Sequence, residues 1–430
     1  MRAEAARQGT IGRMEDQEAP LFPRAVVLGA FLPTLAFSTG VGALLPVIVP
    51  AATHLGANLA TAGVMASLLS VGTIIADLPA GEIASKIGDR WAMLWAGLLA
   101  AGAFALAAWA PNLWLLGAAI ILLGVAGAVF GLARHSYLTE ITPPLRRARV
   151  LSTLGGVHRV GNFLGPFIGA PIIYLWGPTA ALWLGVALSV AAAINVLLVK
   201  DDAPHLPAPT PAEAVGLTGH APNKPTIKTV FVDHRQLFFT LGLACLLIGA
   251  VRGARNTVIP MWAEHLGIEN STTSLIVGVA GAVDMLLFYP AGKLMDKLGR
   301  NWVAIPSMLV MGVALFLLPL TAGVVTVGVV AMLLGLGNGV SSGILMTLGS
   351  DASPAHGRAQ FLGLWRLLQD TGSAAGPLLV SAGAALGSLA AGVWAAGALG
   401  PVAAGALHRW VPRWTVHASR RTRRAAGITT

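Results

Sequence analysis

The chain is divided into apolar blocks of about twenty residues separated by short polar connections, and no other feature restricts its fold as strongly. Twelve such blocks are read, at 25–50, 59–81, 91–110, 113–137, 150–173 and 178–199, then 236–260, 272–292, 302–320, 324–349, 359–382 and 387–408. A block of this length crosses about 30 Å of hydrocarbon as a helix. In lipid, only hydrogen bonding inside the helix satisfies its backbone. The alternating strands of a membrane barrel do not occur in the sequence. Charged residues make up 11% of the chain, against about a quarter in a typical soluble domain. The predicted class is an all-α polytopic membrane protein with twelve transmembrane helices.

Charge sets the expected orientation. Lys86 and Arg90, then Arg146, Arg147 and Arg149, then Lys200, Lys224, Lys228 and Arg235 fall in connections on one side. Lys293, Lys297 and Arg300, Arg358, and the run from Arg409 to Arg424 fall on that same side. The opposite connections, including 51–58, 110–112, 176–178 and 261–271, carry neither Lys nor Arg. By the positive-inside rule the basic side is cytoplasmic, with both termini there and the protein in the plasma membrane. The net charge of +10 is therefore a topological signal, and no nucleic-acid partner is expected. Residues 1–24 read as a cytoplasmic arm before a retained first helix, and 201–234, rich in Pro and Ala, as a flexible cytoplasmic linker. The linker separates halves at 25–200 and 235–408, and 409–430 reads as a basic cytoplasmic tail. The single cysteine, Cys245, excludes an internal disulfide framework.

The halves repeat. A shift of 211 residues lays His54-Leu55-Gly56 on His265-Leu266-Gly267, Pro79-Ala80-Gly81 on Pro290-Ala291-Gly292, and Gly165-Pro166 on Gly376-Pro377. Lys86, Gly88 and Trp91 likewise meet Lys297, Gly299 and Trp302. Six spans repeated in one orientation predict two pseudo-symmetric six-helix bundles about an axis along the membrane normal.

The connection after span 2 reads Gly81-Glu-Ile-Ala-Ser-Lys-Ile-Gly-Asp-Arg90, and that after span 8 reads Gly292-Lys-Leu-Met-Asp-Lys-Leu-Gly-Arg-Asn301. Both are similar to the short cytoplasmic motif of the major facilitator superfamily. The resemblance implies that fold, and a charge latch holding the bundles together on the cytoplasmic side. Its expected members are Gly81, Lys86, Gly88, Arg90, Gly292, Asp296, Lys297, Gly299 and Arg300, with Arg147 and Arg358. The second copy is the fuller match; the first has Ser85 at the Asp position and Asp89 at an Arg position. The alternative is two basic turns that only set topology.

Span 5 carries Gly161-Asn-Phe-Leu-Gly-Pro-Phe-Ile-Gly169, with Gly161, Gly165, Pro166 and Gly169 resembling the Gly-Pro motif of superfamily exporters that exchange substrate for protons. Ordinary close helix packing is the alternative reading. Those exporters also carry an Arg early in span 4, and none occurs between Trp114 and Phe130.

Eight charges remain within spans: Arg134, Arg159, Arg252, Arg255 and Arg366, with Asp77, Asp284 and Asp370. At ~2.5–3.5 kcal/mol each at the bilayer centre, they must line the bundle interior, pair, or snorkel. In the superfamily fold spans 5 and 8 abut, as do 2 and 11. Arg159 is accordingly expected to pair with Asp284, and Asp77 to reach Arg366 or Asp370, as gate charges. Arg366 and Asp370, one turn apart, have the alternative of satisfying each other. Arg252 and Arg255 share a helix face and are expected either to attract an anionic group or to pair with Glu264 or Glu269. With His158 and Asn338 they are the candidate substrate contacts. Asp284 and Asp370 are the preferred proton carriers, since a desolvated carboxylate protonates readily.

The expected function is secondary transport of a small organic molecule, as an exporter driven by proton exchange. Transport of an organic anion through the intramembrane arginines is the alternative, and a non-transporting receptor or scaffold a third. No nucleophile elbow, metal motif or phosphate-binding loop appears, so neither enzyme activity, metal nor cofactor is expected. The expected partners are the lipid bilayer, a small-molecule substrate and protons, with the chain monomeric.

Overall fold

The computed structural model describes residues 24–198, 226–354 and 357–426, and among them the chain is helical with no strand. Twelve long helices follow in order. They are α1 (Arg24–Leu44), α2 (Leu59–Ile87), α3 (Asp89–Ala108), α4 (Leu113–Ile141), α5 (Pro144–Trp176) and α6 (Pro178–Leu198), then α7 (Arg235–His265), α8 (Asn270–Leu298), α9 (Asn301–Leu320), α10 (Val324–Ala352), α11 (Arg358–Ala385) and α12 (Leu389–Trp414). Ten of these are long and apolar enough to span a membrane by composition. The other two, α5 and α11, carry charges well inside the helix, and these helices line the junction between bundles.

The repeat is deeper than its sequence signature. α2 and α8 start and end 211 residues apart, and so do α4 and α10. A π-helical turn at Val27–Phe31 in α1 recurs at Phe238–Gly242 in α7, which carries the repeat well before His54. Positive φ at Gly56 and Gly267, and again at Gly88 and Gly299, marks the same turns in both halves. An L-residue with a side chain is disfavoured there. Gly88 and Gly299 therefore make the basic-end turns. Gly81 and Gly292 lie inside α2 and α8, which run six residues beyond the ends expected for them. With their backbone bonds satisfied internally, these helices continue out of the apolar layer until a glycine stops them.

Two spans expected to be continuous are broken. After α1 the chain turns through 45–47 before Ile48–His54, and α10 is interrupted at 341–343, where Gly343 has φ +80°. Part of the expected linker is also ordered. Ile227–Asp233 is a helix capped by Thr226, and it packs on α11 through the His234 and Phe361 rings. Residues 201–225 of that linker, the arm 1–23 and residues 427–430 lie outside the described residues. The basic tail first extends α12 to Trp414 and then folds back. Arg300 N–H donates to His417 O at 3.1 Å, and Arg420 Nε to Lys297 O at 3.2 Å.

Within each bundle small residues set the helix spacing, because lipid supplies no hydrophobic drive between helices. A Cβ on Gly165 would collide with α1 at Thr39 and Ala43, and one on Gly376 with α7 at Ala250 and Ala254. The Gly-Pro segment is thus the contact of α5 on α1, repeated as α11 on α7. Exposed Trp91 and Trp109 stand at opposite ends of α3, about 27 Å apart at 1.5 Å per residue. Trp302 joins the first level, and Trp114 and Trp176 the second. These girdles bracket a hydrocarbon layer of ordinary thickness.

The bundles α1–α6 and α7–α12 meet along α5 and α8 and along α2 and α11. Away from the basic end they are close. Thr53 Oγ1 donates to Glu264 Oε1 at 2.9 Å, and Ser274 Oγ to Pro166 O at 2.9 Å. Thr53 and Glu264 are equivalent positions of the repeat and so meet on the pseudo-symmetry axis.

Candidate functional site

A cavity of about 260 Å³ lies between the bundles, small beside the ~300–1,000 Å³ of typical ligand pockets. The polar side chains in its wall are His158, Arg159 and Asn162 of α5, Arg255 and Asn256 of α7, Asp284 of α8 and Asn338 of α10. Arg159 sits near the middle of α5 and Asp284 near the middle of α8, so the cavity lies at mid-membrane.

Asp284 is its hub. Arg159 Nη1 lies 3.3 Å from Oδ1, Arg255 Nη2 lies 3.6 Å from Oδ2, and Asn338 Nδ2 donates to Oδ2 at 2.6 Å. Arg159 comes from the first bundle and the other three residues from the second, so the carboxylate ties the two bundles together. The Arg159 guanidinium also lies over the Phe288 ring, 4.6 Å from its centroid. Two guanidiniums face one carboxylate here, which leaves the ionised wall with a formal excess of one positive charge.

The polar chain continues into α10. Ser341 Oγ donates to Asn338 O at 3.1 Å, and Arg252 Nη2 donates to Ser341 O at 2.7 Å and contacts Ser341 Oγ at 2.9 Å. Interrupting a helix frees carbonyls that have no water to turn to. Ser341 O accepts from Ile344 N–H at 3.1 Å, and Arg252 adds a second, charged donor at the break. On the α5 side, His158 bonds Ser38 Oγ at 2.6 Å through Nδ1 and Asn162 Nδ2 at 3.1 Å through Nε2.

The structure thus brings Arg159, Asp284, Arg255, Asn338 and His158 to one cavity. It separates Arg252 from Arg255, although they share a helix: one props α10 and the other enters the cavity. Neither takes Glu264 or Glu269 as its described partner; Glu264 accepts from Thr53, and Arg255 Nη1 donates to Asn256 Oδ1 at 3.2 Å. Arg134 lies over the Phe130 ring at 5.9 Å. Asp77 and Asp370 both reach Arg366, at 3.3 and 3.4 Å from its Nε.

The residues expected to latch the bundles have their described contacts elsewhere. Lys86 pairs with Glu82 at 2.7 Å one turn away, and Arg90 donates to the α6 carbonyls of Val196 and Leu197. Arg300 pairs with Asp351 at 3.0 Å and Asp296 at 3.9 Å, Arg147 reaches Thr142 O, and Arg358 donates to Ser350 Oγ. Each of these contacts stays inside one bundle.

Sequence reasoning missed Asn256, Asn162 and Ser341. Asn256 adjoins Arg255, and Ser341 sits in the Asn338-to-Gly343 stretch, whose paired Ser and two Gly signal a weak helix.

Two six-helix bundles related by a 211-residue shift are the architecture that the sequence motifs imply. The family model of the Major Facilitator Superfamily matches residues 28–377. The chain belongs to the Major Facilitator Superfamily. Like other members it is a multi-pass membrane transporter. Among its curated relatives is the multidrug resistance protein MdtH of Proteus mirabilis (strain HI4320), 24% identical over 298 residues, covering 69% of this chain and 71% of the relative. MdtH of Yersinia pestis (strain Pestoides F) is 25% identical over 300 residues, with the same coverage. Among solved structures, a POT family transporter superposes with a TM-score of 0.74 at 14% identity, covering 91% of this chain and 97% of the other. At that identity the likeness is one of fold.

Proposed function

We propose that this superfamily member is a secondary active exporter of a small organic molecule, driven by exchange against protons. The observation that carries the reading is Asp284, held in the cavity between Arg159 of one bundle and Arg255 of the other. A proton on Asp284 cancels the charge that joins the bundles and frees both guanidiniums. Its loss restores the bridge. A cationic or hydrogen-bond-donating substrate that takes the Asp284 carboxylate would compete with the proton for one group, which is the requirement for exchange. Relatives named for multidrug resistance support outward transport. The basic end faces the cytoplasm in this reading, the membrane is the plasma membrane, and one chain suffices.

The test is transport in inverted vesicles with an imposed pH gradient. Asp284→Asn is expected to abolish proton-driven accumulation and to leave substrate exchange between equal pools. Gradient-driven accumulation in that variant overturns the reading.

A second reading, transport of an organic anion, is favoured by the two guanidiniums facing one carboxylate. It expects altered flux of carboxylate or phosphate compounds in a null strain, with cationic dye retention unchanged.

A further inference from the structure

A second group of buried charges lies closer to the basic end, where α2 of one bundle crosses α11 of the other. Asp77 on α2 is only 8% exposed, and Asp370 on α11 only 15%. Both carboxyls approach the same nitrogen, Arg366 Nε, at 3.3 and 3.4 Å. That nitrogen carries one hydrogen, and both distances exceed the ~2.7–2.9 Å of a strong charge-assisted bond. The second Asp77 oxygen, Oδ2, is buried and has no hydrogen-bond partner. The Asp77 and Asp370 side chains lie within hydrogen-bond reach of each other.

We propose that Asp77 and Asp370 share one proton and form a proton-operated lock between the bundles, separate from the cavity at Asp284. This rests on the proton-exchange reading above. With the proton in place, one carboxylic acid donates to the other carboxylate, Oδ2 gains a partner, and Arg366 neutralises the remaining charge. Two carboxyls placed this close cannot both ionise without repelling one another.

The 211-residue shift maps Asp370 onto Arg159 and Asp77 onto Phe288. At the α5–α8 junction those positions hold a guanidinium over a ring, an arrangement with no proton to lose. The two junctions are built on one backbone and carry opposite chemistry, so only the α2–α11 side responds to proton loss by repulsion.

Release has a destination for every charge. The other charged and titratable groups described around the lock are Arg134 and His135 of α4, Cys245 and Arg252 of α7, and, further along, His234 against Phe361 of α11. Arg252 is committed to Ser341. Arg134 stands within electrostatic reach of Arg366, and its Nε has no partner. When the proton leaves to water at the basic end, Asp370 keeps Arg366 one turn away on its own helix. Asp77 then turns to Arg134 on the adjacent helix of its own bundle. Both acids remain paired, and the tie across the junction is gone.

The test uses the full chain in lipid nanodiscs, with spin labels at Ser85→Cys on α2 and Ala359→Cys on α11, both near the basic end. The native thiol, Cys245, is buried. The expected result is a label-to-label distance that lengthens as pH is raised, the long-distance population growing about tenfold across the transition. In Asp77→Asn with Asp370→Asn, the short distance should persist at every pH. A double variant that follows pH as the wild type does overturns the lock. A pH-dependent distance without proton-driven transport would instead refute the exchange reading and leave the lock standing. If the asparagine variants do not fold, the infrared carbonyl band of a protonated carboxylic acid takes their place. It must titrate in step with the distance, and its absence overturns the lock.

Discussion

Single residues in this protein act mainly through what their removal leaves unpaired. Arg252 shows it most clearly, because its bonds to Ser341 end a helix break far from water. Arg252→Ala should destabilise the protein by about 1.5–3 kcal/mol, the typical worth of a hydrogen bond from a charged donor. Thermal unfolding in detergent measures this, and Arg252→Lys should recover only part of it, since an ammonium lacks the planar fork. Asn338 has a different role. It donates to Asp284 at 2.6 Å without adding charge, so Asn338→Leu should slow proton-driven transport while leaving the melting temperature close to wild type. An unchanged rate would remove Asn338 from the site. For Arg252 the sequence pointed to the side chain and offered Glu264 or Glu269 as a partner, and its described partner is Ser341. Arg252 and Arg255 sit three apart on one face, and that pattern says nothing about which neighbouring helix each will meet.

Helices pack here at the glycines. A Cβ on Gly165 meets the α1 backbone, whereas one on Gly102, on the outer face of α3, meets nothing within 4 Å. Gly165→Ala should therefore lower thermal stability, and Gly102→Ala should leave it unchanged or raise it by up to about 1 kcal/mol from helix propensity. Equal effects at both sites would exclude close α1–α5 packing as the use of the Gly-Pro segment. Helix ends divide in the same way between what was legible and what was not. The apolar blocks located every long helix, but α2 and α8 continue to Gly88 and Gly299 because backbone bonding, unlike hydropathy, does not stop at the lipid boundary. The break in α10 was not readable from periodicity, since one of the donors at it lies 89 residues away.

For the whole molecule, the far ends of the bundles are joined and the basic ends touch mainly through the side chains at α2 and α11. A disulfide across Thr53→Cys and Glu264→Cys, whose native oxygens are 2.9 Å apart, should hold the far end shut. Transport should stop on oxidation and return on reduction; transport that continues under full cross-linking would mean the far end need not open. Orientation can be checked with the same chemistry, because Cys245 is buried. A cysteine at exposed His54 should label from outside intact cells, and one at exposed Lys86 only after permeabilisation.

The sequence by itself determined the number of spans, the alternation of connections with and without Lys or Arg, and the two-fold repetition of a six-helix unit. These follow from local quantities, block length and charge position, which lipid imposes on any chain. It also narrowed the junction to α2, α5, α8 and α11 once the family resemblance supplied their neighbours. Only the tertiary structure decided that Asp284 gathers three donors, that Arg252 props α10, that the motif arginines stay within their bundles, and that Asp77 faces Asp370. Depth along a helix is set by a constant rise per residue and can be counted. Which side chains meet depends on rotation about each axis and on how two bundles tilt together, and those are properties of the packed molecule.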